Sequence, residues 1–183
     1  MQDVLANDTM TGAVKIADHL AIVRAALDDD DPMAAEKSIR AAASFEVMDW
    51  EERVAFTALR AVVLPDEGRA PFIAMRDTWL SAEMPLGGFV DVIRAALHAG
   101  DTALADEVAR RLMTQEGVRA VFQPSFMIYK KHGREQVFRE IQRQAALTRI
   151  QGAPAIAARE TGDTAAAAAG ADLRDGAERG TFL

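Results

Sequence analysis

The residues most able to do chemistry in this chain are cationic and gathered late. Positions 110–150 hold nine Lys and Arg against only Glu116, Glu135 and Glu140, a net of +6. The first 109 residues hold 9 basic and 20 acidic side chains, a net of −11, and the whole chain is at −7. Within the basic block, Lys130, Lys131, Arg134, Arg139 and Arg143 follow Phe122, Phe126 and Tyr129. Arg139 and Arg143 are four residues apart and share a helix face, while Phe138 and Ile141 point elsewhere. A stripe of this kind can meet an acidic partner or phosphates, which makes these five the candidate binding residues. The same charges can instead balance the acidic front section within the molecule or between subunits. That use ranks first, because nucleic-acid binders are usually basic overall and this chain is acidic.

Other chemistry finds little support. Asp28-Asp29-Asp30-Asp31 offers carboxylates for a hard cation, but it lacks the spaced ligands and terminal Glu of a calcium loop. A turn that caps the following helix accounts for it better. His19, His98 and His132 stand far apart, and no acidic residue precedes any of them by three, so there is neither a helical His pair nor a di-iron signature. With no Cys there is no thiolate nucleophile, thiolate metal site or disulfide. Phosphate-binding glycine motifs and a nucleophile elbow are absent. Glu51 with Glu52, and Asp106 with Glu107, are sequence neighbours on different helix faces and form no acid/base pair. No catalytic, cofactor-binding or metal-ligating residue is assigned, and the expected role is binding rather than catalysis.

The elements that must position these side chains are helices. Half of the residues are hydrophobic, much of that is Ala, and aromatics are 6%, a mix suited to helices packed through small and aliphatic side chains. Apolar residues at three- and four-residue steps predict a helix from about Thr11 to Leu27. Asp31-Pro32 reads as an N-cap with proline at the first helical position, opening a second helix. Asp49 and Glu52 have capping-box spacing and open a third, Trp50 to about Leu64, stopped by Pro65. A fourth is expected from about Ala70 to Glu83, broken by Pro85, Gly87 and Gly88, and a fifth from Phe89 to Ala99. Gly100 and Asp101 then form a C-terminal glycine and the next N-cap, for a helix from Thr102 to about Gln115. A helical or loop segment carries Phe122 to Tyr129, and a last helix runs from Arg134 to about Ile150.

An internal repeat runs through this pattern. Ile22-Val23-Arg24-Ala25-Ala26-Leu27 matches Val92-Ile93-Arg94-Ala95-Ala96-Leu97 at an offset of 70, with Asp31 and Asp101 opening the helix that follows each. Leu59-Arg60-Ala61-Val62-Val63 is a weaker copy between them, placing Arg24, Arg60 and Arg94 at steps of 36 and 34. A period near 35 with two helices per unit is the arithmetic of a helix–turn–helix solenoid. The segment Ala95-Ala96-Leu97-His98-Ala99-Gly100-Asp101-Thr102-Ala103-Leu104-Ala105 resembles the tetratricopeptide-like class of α-hairpin repeats over about residues 20–115. That resemblance implies a concave surface for a protein or peptide and carries over no contact residue.

The fold class is therefore all-α: a right-handed α-hairpin solenoid or a compact bundle of seven to eight helices, with a flexible C-terminal tail. An N-terminal arm is expected over 1–10, the helical domain over 11–151 and an Ala/Gly-rich mobile tail over 152–183, whose sparse large apolar residues cannot offset its ordering entropy. Asp3 and Asp8 sit where a secretory signal needs positive charge, and no apolar run nears the ~20 residues needed to span a bilayer. The expectation is a cytoplasmic helical adaptor or scaffold with a protein or peptide partner, able to self-associate, with no membrane contact and no cofactor. A nucleic-acid-associated regulatory or phage-type packaging role through the basic block is the alternative.

Overall fold

The computed structural model describes residues 15–149, and every regular element among them is a helix. The chain divides after Ile141 into two units. In the first unit the helices follow one another as hairpins. These are α1 (Ile16–Asp28) with α2 (Pro32–Ala42), α3 (Trp50–Val63) with α4 (Pro65–Ala74) and the short α5 (Arg76–Ser81), and α6 (Leu86–His98) with α7 (Thr102–Leu112). Then come α8 (Arg119–Lys131) and α9, helical from 135 to 149, of which 142–149 belong to the second unit.

The caps behave as side-chain chemistry dictates. Asp31 accepts from the Ala34 amide at 3.0 Å, and Asp101 accepts from Leu104 at 3.0 Å, so the second helix of the first and third hairpins opens the same way. Asp49 accepts from the Glu52 amide while Glu52 accepts from the Asp49 amide, a complete capping box. Gly100 takes φ +79°, the left-handed position that ends α6.

Several boundaries differ from the sequence expectation. Pro65 opens α4 instead of preceding a turn, since a first helical position tolerates the missing N–H, and the run expected as one helix from Ala70 breaks at Met75 into α4 and α5. Gly87 and Gly88 lie inside α6, which starts at Leu86 on the extended Pro85, because burial of Phe89, Val92 and Ile93 outweighs glycine's weak helix propensity. Helix α7 ends at Leu112, and the segment left open between helix and loop is the helix α8, with Pro124 inside it and the Ser125 hydroxyl donating to the Val121 carbonyl at 2.8 Å. The predicted start at Thr11, the 1–10 arm and the 152–183 tail lie outside the described residues.

Helix α3 packs on α1, and α6 packs on both α3 and α8, so the first helix of each hairpin lies against the first helix of the next. Helix α6 is the hub and buries Phe89, Val92, Ile93 and Ala96 against its neighbours. Trp79 and Phe72 stack at 5.6 Å between ring centres in the second hairpin, where the Trp79 indole donates to the Phe72 carbonyl. Gly68 makes the crossing of α4 over α3 possible, since a Cβ there would fall 2.5 Å from the Arg60 carbonyl carbon and oxygen.

Candidate functional site

The five cationic residues singled out by sequence part ways in the structure. Lys131, the last residue of α8, donates to Asp30 at 2.6 Å and to the Leu27 carbonyl at 3.3 Å, reaching the turn between α1 and α2. Arg134 donates to Asp106 of α7 at 2.7 Å. The Arg139 guanidinium lies 5.6 Å from the centre of the Phe126 ring, a cation–π arrangement that keeps it on α8. Lys130 is exposed, and Arg143 is exposed in the second unit. Lys131 and Arg134 thus meet acidic residues of the front section, which is the internal charge balance the composition favoured. Phe122, Phe126 and Tyr129 all pack on the buried Phe138, at 5.3, 6.1 and 5.0 Å between ring centres; Tyr129 is buried, and Phe122 and Phe126 are half-buried.

Asp106 is a junction. It accepts from Arg134 and, at 3.0 Å, from the Tyr129 hydroxyl, tying α7, α8 and the α8–α9 turn together. Burial and the adjacent carboxylate push the Tyr129 phenol far up, so it stays protonated and donates.

A larger charged network escaped the sequence reading. Arg24 of α1 donates to Asp91 of α6 through Nε and Nη2, with a shortest contact of 2.7 Å, while Arg94 of α6 donates back to Asp28 of α1 at 2.9 Å. The two helices exchange pairs in both directions. Burial is the largest influence on Asp91 and pushes its carboxyl up, against the pull of Arg24 and Arg94. The repeat did mark Arg24 and Arg94, and the spacing of Arg24 to Asp28 and of Asp91 to Arg94 puts each pair on one helix face. Nothing in the sequence said that α1 and α6 approach each other. The third repeat arginine, Arg60, pairs within its own hairpin with Glu67 at 2.9 Å.

At the end of α6 away from these pairs, an open cleft of about 670 Å³ is lined by Glu83, Pro85, Leu86, Phe89, Arg111 and Glu116 among others. Arg111 is pinned there: it donates to the Trp79 and Ala82 carbonyls at 2.7 and 2.9 Å, and its guanidinium lies 5.7 Å from the Phe89 ring centre. Beside the rim, the Trp50 indole donates to the Glu83 carbonyl at 2.9 Å, with the ring 39% exposed. The cleft presents an apolar floor, a fixed cation and two carboxylates.

Among the described residues, no cluster of three or more His, Asp or Glu is placed to hold a metal ion, and no helix is long and apolar enough to cross a membrane. No family model matches the chain, and neither a curated protein nor a solved structure matches it.

Proposed function

We propose that this chain is a non-catalytic protein-binding module, a helical adaptor or scaffold, and that a peptide segment of its partner enters the cleft between the α5–α6 turn and the end of α7. The observation that carries this reading is the cleft's build. Pro85 and Leu86 offer an apolar floor above the buried Phe89, and the exposed Trp50 stands beside the rim. Arg111 is ordered by two carbonyls and an aromatic ring before any partner arrives. Trp and Arg are the residues that most often dominate binding energy, and preordered side chains lose little entropy on association. Glu83 and Glu116 favour an apolar side chain flanked by basic residues. The resemblance to tetratricopeptide-like hairpins, and the packing of each hairpin's first helix on the next, agree with a binding role.

The test is an affinity pull-down from native lysate with the full-length chain and its Leu86→Asp variant. Samples are washed at about 0.1 M and about 0.5 M salt, with half of each treated with nuclease. A protein retained at the higher salt by the parent chain and lost by Leu86→Asp is the expected result. Nucleic acid recovered instead, lost with salt or nuclease and indifferent to Leu86, would move the function to Lys130 and the other basic residues of 110–150.

A further inference from the structure

The acidic turn between α1 and α2 lies on a cationic surface supplied by two other helices. Arg94 and His98 are four residues apart on α6, Lys131 ends α8, and His132 follows it. Asp28 accepts from Arg94 and Asp30 accepts from Lys131, so two carboxylates two residues apart straddle two cations. Burial, and after it the neighbouring His98, Lys131 and Arg94, lower the His132 pKa, so that imidazole stands beside the two cations without adding to their charge.

Three features mark the turn as a replaceable occupant. Its carboxylates are exposed, Asp28 at 66% and Asp30 at 77%, and Asp30 pairs with a Lys131 that is itself more than half exposed, a setting in which ion pairs are weak, whereas Arg94 is only 11% exposed. Asp30 takes φ +57°, a left-handed conformation that an L-residue adopts at a cost. The Arg94 Nε is buried without a hydrogen-bond partner, so the turn leaves a donor of the site unused.

We propose that Arg94 and Lys131, flanked by His98 and His132, form a binding site for an acidic peptide segment of a partner protein, which the chain's own Asp28 and Asp30 carboxylates occupy until they are displaced. The resident turn defines the ligand chemistry: two carboxylates two residues apart, one on Arg94 and one on Lys131. A peptide fits this chain better than a nucleic acid does, because the strongly acidic front section repels a continuous phosphate backbone. The site lies at the far end of α6 from the Leu86 cleft and does not depend on it.

The test is fluorescence polarisation with a fluorescein-labelled eight-residue peptide of alternating Asp and Gly, titrated with full-length protein in low salt. Asp28, Asp30 and Lys131 are all more than half exposed, so their substitution leaves the interior intact. Asp28→Asn with Asp30→Asn removes the resident carboxylates and is expected to tighten probe binding about tenfold. Adding Lys131→Glu to that double variant is expected to reverse the gain. Leu86→Asp is expected to leave probe binding unchanged. The pair Glu46→Gln and Asp77→Asn alters net charge equally at exposed positions away from the turn, so an equal gain there would overturn the proposal. Unchanged binding on removal of Asp28 and Asp30, or indifference to Lys131→Glu, would also overturn it. So would an eight-nucleotide single-stranded DNA that binds the double variant more tightly than the peptide does.

Discussion

Arg24 and Asp91, 67 residues apart, hold α1 to α6 through a two-nitrogen contact in which the carboxylate is 1% exposed and the guanidinium 37%. The pair is therefore asymmetric. Loss of Arg24 strands a buried carboxylate, whereas loss of the Asp91 charge frees an arginine that can turn to water. Arg24→Met is expected to cost about 3 kcal/mol, the range seen when one partner of a buried pair is removed. Asp91→Asn is expected to cost about 1 kcal/mol, close to one weakened hydrogen bond. Urea denaturation of both variants measures the difference, and equal losses would contradict the asymmetry.

The same carboxyl gives stability a definite pH dependence. Burial raises the Asp91 pKa in the folded state, while the unfolded chain titrates it near the ordinary value of about 4. Between those two values the folded state binds more protons, so the Asp91 contribution to stability falls as pH rises through the window and levels off above it. Removing Arg24 takes away the opposing pull, so Arg24→Met should steepen the fall and carry it to higher pH. Asp91→Asn should abolish it. Urea midpoints collected at half-unit steps upward from about pH 4 separate the three chains.

Two glycines should respond in opposite ways to alanine. At Gly68 the new methyl would meet the Arg60 backbone, which cannot move without parting α3 from α4, so Gly68→Ala is expected to cost about 3 kcal/mol. Nothing lies within 4 Å of a Cβ at Gly87, which is helical in α6, and Gly87→Ala should stabilise by about 0.5 kcal/mol through a smaller loss of chain entropy. Thermal midpoints of the two variants should lie on either side of the parent.

Tyr129→Phe tests the Asp106 junction. The ring stays against Phe138, but Asp106 loses one of its two donors and keeps Arg134. A loss of about 1 kcal/mol is expected in denaturant unfolding. Arg134→Met should cost more, because it removes the charged donor from a carboxylate that is only 16% exposed.

Much of the helical order was legible in the chain because it rests on local chemistry. Asp31, Asp49 and Asp101 cap helices by bonding amides three residues on, and that information lies within one turn. Proline and glycine signal helix stops in the sequence, yet Pro65 opens α4, and α6 starts at Leu86 and runs through Gly87 and Gly88. At Pro65 the first-turn position welcomed the proline, and at Gly87 and Gly88 the burial of α6 overrode propensity. The candidate site was legible as to residue type and not as to contact. Lys131 and Arg134 were visible as cations, while their partners, Asp30 and Asp106, lie 101 and 28 residues away.

By itself the sequence determined the helical character of the described residues, their capping residues, a 70-residue echo between α1 and α6, and a basic section set against an acidic one. Only the tertiary structure decided which charges meet. Helix periodicity places Arg24 with Asp28 on one face and Asp91 with Arg94 on another, and it is silent about which faces are brought together. That choice is made by the packing of α3 between its neighbours and by the central burial of α6. Once α1 and α6 flank α3, a buried carboxylate must find a cation, and the long side chains of the two repeat arginines are the cations in reach.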